Sequence, residues 1–509
     1  MLRLFLNIPP TIHLTLLVLI PLLRIPSFLS GFFLPEESML LLLGNSLSEG
    51  QHLYSDVWFA GPPLLPWLFM MFHEVFGSWT LPMIRILSCL YIYIASILFN
   101  GILIEYKLYR RYSGFTAIMI AFLVSVPWYS QQMSGSLFVL LPMIISFYQI
   151  MQLGDNRSKN YQLMFGAGVW MAISMCITYK AIFIFFGLLI AYVRVRRPSL
   201  DELISMVGGM VVVFLFVLNL LYFNDSLRDF WDIGVLYYLD RLRFSSSPVY
   251  AYELSSTLTA LLIAWGPVLV LGLIGFLHFR IRYFSYVVKI RATETITSLW
   301  LLGVLLMLLF KWQRLELSDL VLLVPPLVFY MRKALDLPFL LQFRWGILAL
   351  ILVLPLFLYI GLWNLRHPNP ADLLRPAQED LWIHGGTWMT MRQEGALFEY
   401  LADQSPESSI WIMDYKPAWY LSLGTSSLDA YTDFRILYHK LPLFQSELGI
   451  LFSKEELERN FYQRFQASPP DLIVDPQEYF HLLQDRFPAM LGKYEVLELD
   501  GVAVYHKKE

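Results

Sequence analysis

Long apolar blocks separated by short polar breaks fill the first 363 residues of this 509-residue chain. A membrane-spanning helix takes roughly 17–25 mainly apolar residues. Eleven runs approach that length: 11–33, 81–104, 114–129, 135–152, 161–178, 180–193, 203–223, 256–279, 296–310, 318–334 and 343–363. After Trp363 the pattern changes, and charged residues mix with short alternating runs. The segments 409–414, 471–475, 494–500 and 501–506 read as strands. Asp500-Gly501 between two such runs predicts a hairpin turn, because glycine accepts the positive φ that the turn needs. Helices are predicted at 392–404, 454–467 and 477–488. The pattern describes a polytopic α-helical membrane protein of about eleven transmembrane helices (1–363), followed by a soluble α/β domain (364–509).

Basic residues between the runs set the orientation. Lys107, Arg110 and Arg111 share one side with Arg157, Lys159, Arg194, Arg196 and Arg197. The loops carrying Arg280, Arg282, Lys289, Arg291, Arg332, Lys333 and Arg344 fall on the same side. The positive-inside rule makes that side cytoplasmic. The N-terminus is then cytoplasmic, and 34–80, 224–255 and 364–509 lie outside. Pro62–Gly77 is apolar enough to suggest a further span, but it is short, opens on Pro62-Pro63 and contains His73 and Glu74. Counting it would invert every later loop. It is read instead as an amphipathic helix along the outer interface, so 34–80 becomes one external loop without Lys or Arg, holding helices near 36–49 and 63–76. No small-residue cleavage site precedes Glu36, so the first run is read as a retained span.

Composition agrees with the membrane reading. Charged residues make up 15% of the chain, against about 25% in soluble domains. A net charge of -3 gives no basic field for nucleic acid. Cys89 and Cys176 sit in separate apolar runs at no metal-ligand spacing and read as packing residues. Gly166, Gly168, Gly208 and Gly209 lie mid-run, where small residues let helices approach closely. His384-Gly385-Gly386 has no serine motif to accompany it and reads as a turn. No phosphate-binding loop, HExxH motif or nucleophile elbow is present.

The first external loop holds an ordered set of features: Pro35-Glu36-Glu37, a helix, then Gly50-Gln-His-Leu-Tyr54-Ser-Asp56. Gly61-Pro62-Pro63-Leu64, Phe76-Gly77 and Arg85 follow. In this order the loop resembles the GT-C superfamily of membrane glycosyltransferases, which includes protein O-mannosyltransferases, the lipid A aminoarabinose transferase and oligosaccharyltransferases. The resemblance implies transfer of a sugar from a polyprenyl-phosphate donor to a glycan, lipid or protein acceptor on the outer face, with inversion. By position, Glu36 takes the place of the family's Asp and Glu37 that of its Glu, one of them serving as general base. The residues carry a physical logic of their own. Nucleotide sugars are absent outside, and a carboxylate at the membrane surface is partly desolvated, which raises its proton affinity. The alternative for the pair is favourable placement in a helix first turn. Asp56 is a candidate third acid, or a residue that caps the turn. Arg85, four residues into a span, calls for a buried ion pair with a first-loop acid or for snorkelling to the surface.

Phosphate binding needs external cations, and Lys180, Arg241, Arg243, Lys311 and Arg314 are the candidates, with interfacial anchoring as the alternative. Several GT-C members carry a second acid in the next external loop. Here that loop reads Tyr129-Ser-Gln131-Gln132-Met-Ser-Gly135, without a carboxylate. Asp232 or Asp240 is a candidate replacement. The missing acid disfavours a divalent metal, and no cofactor is expected. Two other readings stay open: a non-catalytic scaffold whose C-terminal domain docks a partner, and a transporter of a lipid-linked glycan. The second would place ionisable or helix-breaking residues mid-membrane in related halves, and no such pairing is present.

Overall fold

The computed structural model describes residues 2–29, 35–57, 59–77, 81–106, 114–125, 133–153, 157–196, 199–237, 268–278, 288–310, 317–334, 382–384, 387–389, 397, 400–401, 409–412, 463, 469–475, 492–499 and 502–508. The chain packs as two compact units. One comprises Met1–Ser30, Thr80–Phe216 and Ser246–Arg375; the other comprises Gly31–Trp79, Val217–Ser245 and Pro376–Glu509.

The first unit is helical. Its elements are α1 (Leu2–Leu6), α2 (Pro10–Leu23), α3 (Ile25–Leu29), α6 (Leu81–Glu105), α7 (Phe115–Ser125), α8 (Gly135–Met151), α9 (Arg157–Ile177), α10 (Ala181–Arg196) and the greater part of α11 (Leu200–Phe223). A helix at Val268–His278, another at Val288–Phe310, a 3₁₀ turn at Leu317–Leu323 and a helix at Val324–Ala334 also belong to it among the described residues. Among the described residues, Met83–Glu105 and Leu200–Phe223 are long and apolar enough to cross a membrane, and seven further apolar helices span 10–17 residues. The apolar side chains Ile204, Val207, Val211 and Leu215 of α11 point outward, a face suited to lipid rather than water. The run 343–363 lies outside the described residues.

The predicted first span is interrupted: α2 stops at Leu23 and α3 restarts at Ile25, with Arg24 at the break (φ -101°, ψ 4°). Pro26 has no N–H to continue the ladder from the preceding turn, which accounts for the interruption. Helix crossings are as close as the small residues permit. A Cβ on Gly168 would fall 2.0 Å from the Met206 carbonyl oxygen, and one on Gly209 would fall 2.1 Å from that of Phe165. α9 and α11 therefore touch backbone to backbone, the packing role expected of those glycines.

The second unit joins α4 (Pro35–Ser48) and α5 (Leu64–Phe76) to a π-helical segment, Phe230–Tyr237, and to the C-terminal strands. Both loop helices lie within a residue of their predicted bounds. β3 (Ile410–Ile412), β4 (Leu472–Asp475), β5 (Tyr494–Leu499) and β6 (Val502–Lys507) form a sheet in the order β3-β4-β6-β5. β3 runs parallel to β4, and the other neighbours are antiparallel. Leu499 pairs with Val502, which brackets Asp500-Gly501 as a two-residue connection. A hairpin that the pattern did not predict pairs β1 (Trp382–His384) with β2 (Thr387–Met389), and His384 opposite Thr387 brackets Gly385-Gly386. The core beneath the sheet contains Ile410, Ile412, Leu472, Val474, Val502 and Val504, together with Leu42 from α4. Leu42 thus ties the segment 35–77 into the C-terminal core.

Asp471 clamps the start of this sheet. Its Oδ2 accepts from the Ser409 backbone N–H at 2.9 Å and from the Ser409 hydroxyl at 2.8 Å. The backbone bond from Ser409 is the main cause that holds its carboxyl below the ordinary range, against the opposing effect of burial. A depressed folded pKa contributes stability above the unfolded value of about 3.9 and loses it as pH falls through the folded one. Asp471→Asn is therefore expected to speed amide exchange in β3 and β4 at pH 7, with the difference from wild type shrinking below about pH 4. Equal exchange at neutral pH would show that the clamp contributes nothing.

Candidate functional site

The segment 35–77 is held by its own motif residues. Glu36 and Glu37 occupy the first turn of α4, and the Glu37 side chain is fully buried. α5 packs closely on α4: a Cβ on Gly44 would fall 3.0 Å from the Phe69 backbone, and Ser48 Oγ lies 2.9 Å from His73 Nδ1. Past the end of α4, Gly50 adopts φ +91°, a conformation open to glycine but costly elsewhere. Tyr54 also takes positive φ, at 76°. Its hydroxyl donates to the Gly61 carbonyl at 2.6 Å, and its ring meets Phe230 at 5.3 Å between centroids. Asp56 is exposed, and its Oδ2 accepts from the His52 N–H at 2.8 Å. Of the two roles foreseen for Asp56, the described contact belongs to the turn-capping one.

The segment after α11 lies against this loop. Ser226 Oγ is 3.4 Å from Ser55 Oγ, and a Cβ on Gly234 would come within 3.1 Å of the Tyr54 ring. Asp232, on the π-helical turn, is 2% exposed, and its Oδ1 has no hydrogen-bond partner among the described residues. Burial pushes its carboxyl above the ordinary range; Arg228 pulls the other way and Asp229 adds to the rise.

Within the helical unit, Lys180 sits in the break between α9 and α10. Its Nζ is 2.7 Å from Asp319 Oδ1, with side-chain exposures of 11% and 0%. Ser136 Oγ donates to the same oxygen at 2.7 Å. Three helix ends therefore converge on one buried carboxylate, and Lys180, isolated in sequence, is paired in space. Sequence reasoning missed Asp319, which looks like an ordinary polar residue opening a span.

Arg85 is buried, and its Nε–H donates to the Ser27 carbonyl at 3.1 Å. Arg24 is buried as well, and both guanidinium groups bear electrostatically on Cys89. Arg24 was also missed, although a cation inside an apolar run is itself a signal of function or buried pairing. Arg241, Arg243, Lys311, Arg314, Asp240 and the Tyr129–Gln132 loop lie outside the described residues, as does the Glu36 side chain. Among the described residues, no group of three or more His, Cys, Asp or Glu has a metal-holding arrangement.

Solved structures share this fold over nearly the whole of this chain. ArnT from Cupriavidus metallidurans bound to undecaprenyl phosphate matches with a TM-score of 0.59 at 12% identity, over 97% of both chains. The same enzyme in the apo state matches at 0.56 and 13% identity, again over 97% of each chain. The Archaeoglobus fulgidus oligosaccharyltransferase tethered to an acceptor peptide matches at 0.50 and 11% identity, over 98% of this chain and 74% of that one. ArnT and the oligosaccharyltransferase are both GT-C members. The chain has the GT-C fold. No family model matches the sequence, and no curated protein matches it significantly. At identities this low the GT-C likeness rests on the course of the backbone. Gly50, Tyr54, Asp56 and Gly61 each shape the turn that follows α4.

Proposed function

We propose that this GT-C chain is a multi-pass membrane glycosyltransferase that moves a sugar from a polyprenyl-phosphate donor to an acceptor on the outer face. The observation that carries the reading is the full-length match to ArnT bound to undecaprenyl phosphate, joined to an acidic pair opening α4. About eleven spans place the N-terminus in the cytoplasm, with 34–80, 224–255 and 364–509 outside. A carboxylate of Glu36 or Glu37 takes the proton from the acceptor hydroxyl. The freed oxygen attacks the anomeric carbon, and the bond to the carrier phosphate breaks on the opposite face, which inverts the centre. Lys180, Arg241, Arg243, Lys311 and Arg314 are the cations proposed to hold the leaving phosphate. Lys180 has three donors, and its Nζ bonds Asp319 at 2.7 Å. Arg85 keeps a structural role.

The test uses the purified full chain in nanodiscs with undecaprenyl phosphate. Native mass spectrometry should detect one bound carrier, and removing a phosphate-holding cation should weaken it about tenfold or more, the size of a charged hydrogen bond. Carrier affinity that is negligible, or unchanged by Lys180→Ala, Arg241→Ala and Arg314→Ala alike, would reject the donor site. A second reading, a non-catalytic scaffold, draws on the lack of a carboxylate in Tyr129–Gly135. It predicts carrier binding without transfer from any polyprenyl-linked sugar.

A further inference from the structure

We propose that Asp232 is a hydroxyl-binding carboxyl that receives a sugar, an assignment that rests on the glycosyltransferase reading and adds a residue to it. Three observations at one place carry the inference. First, Asp232 is buried to 2% exposure, and its Oδ1 meets no hydrogen-bond partner among the described residues. Buried polar atoms in folded proteins are satisfied in the great majority of cases, and an orphan calls for a partner such as a water, an ion or a ligand.

Second, the residue stands on a π-helical turn, Phe230–Tyr237. Such wide turns carry a cost relative to the α-helix and recur at functional sites. Third, the turn is fixed against the external loop rather than free of it. Phe230 packs on Tyr54, Gly234 approaches the Tyr54 ring, and Ser226 faces Ser55. Tyr54 itself is held at positive φ, a strain that the surrounding contacts must sustain.

The chemistry of the missing partner follows from the group. A carboxyl accepts hydrogen bonds when ionised and both donates and accepts when protonated. A sugar hydroxyl, which is donor and acceptor at once, suits either form. The charges acting on Asp232 are those of Arg228, which is exposed, and Asp229. His52, Tyr54 and Asp56 are the titratable groups on the turn packed against this segment; His52 and Asp56 are exposed, and the buried Tyr54 hydroxyl donates to the Gly61 carbonyl. A divalent cation takes six or more oxygen ligands, which makes a single carboxyl a poor seat for one.

The experiment compares wild type with Asp232→Asn, as purified full chains in nanodiscs carrying undecaprenyl phosphate. The probes are glucose, galactose, mannose and arabinose with their monodeoxy analogues, and binding is read by ligand-detected NMR. At least one sugar is expected to bind the wild type and to lose about tenfold or more in the variant, the scale of a charged hydrogen bond. Removing one particular hydroxyl from that sugar should cost the wild type the same factor and the variant almost nothing. The thermal midpoint should not fall, because Asn removes an ionisable group that is expensive to bury.

Equal affinities in the two proteins, or no sugar bound by the wild type, overturn the assignment. A lowered midpoint with no hydroxyl-specific loss assigns Asp232 to structure instead. A divalent-cation requirement present in wild type and lost in the variant makes it a metal ligand and likewise overturns the proposal. Carrier binding measured on the same samples tests the transferase reading separately, since its absence from the wild type rejects that reading whatever the sugars do.

Discussion

Replacing both Glu36 and Glu37 with Gln is expected to lower glycosyl transfer by about 10²–10⁴, the range supplied by a general base. Gln keeps the size of Glu and most of its hydrogen bonding, so folding and carrier affinity should hold. α4 is seated by Leu42 in the C-terminal core and by close packing of Gly44 against Phe69, and neither depends on the carboxylates. One single variant should account for nearly the whole loss and the other for little, because one base suffices. Asp56→Asn is the comparison: its carboxylate orders the turn through the His52 N–H, so its effect should be well below that of the true base. Single-turnover transfer from a labelled polyprenyl-linked donor, with melting curves alongside, separates these cases. A double Gln variant with wild-type turnover would place the base elsewhere in the protein.

Breaking the Lys180–Asp319 pair from one side is expected to destabilise the helical unit by about 3–5 kcal/mol, because the remaining charge is left buried without its counter-charge. The geometry argues for the upper part of that range. Asp319 is 0% exposed and receives Nζ and the Ser136 hydroxyl on one oxygen, each at 2.7 Å. Lys180→Met and Asp319→Asn should each lower the unfolding midpoint in detergent, whereas Lys180→Met with Asp319→Leu should recover most of the loss, since a packed apolar pair often replaces a buried ion pair without penalty. A double variant no more stable than either single would refute the pairing account. Midpoints unchanged by both single substitutions would do the same.

The parts of the fold set by local chemistry were legible before any coordinates. The prolines at 62–63 and the acidic turn at 35–37 announced α5 and α4. Period-two alternation and Asp500-Gly501 announced the β5–β6 hairpin, and Gly168 and Gly209 announced a close helix approach, though not which helices would meet. Long-range features were not. Asp319 is separated from Lys180 by 139 positions, and no spacing rule links them. Leu42 looks like one more leucine in an apolar helix, yet it belongs to the core of strands that begin at Ile410. β1 and β2 have three residues each, too few for a period to emerge. Arg24 carried a readable signal that the length of its apolar run concealed. Asp56 carried two candidate roles, and only the coordinates reveal its bond to the His52 N–H.

Leu42 in the C-terminal core has a consequence for how the protein is made. A ribosome adding about 5–20 residues per second needs roughly 20–90 s to travel the 460 or so positions from Leu42 to Val504. For that interval α4, with the acidic pair in its first turn, has been synthesised but lacks the last strands of the core that seats it. Nascent chains stalled anywhere in the apolar blocks therefore carry the acids without their final mounting. The seating of α4, and of the acidic pair in its first turn, therefore waits until the strand carrying Val502 and Val504 has been made.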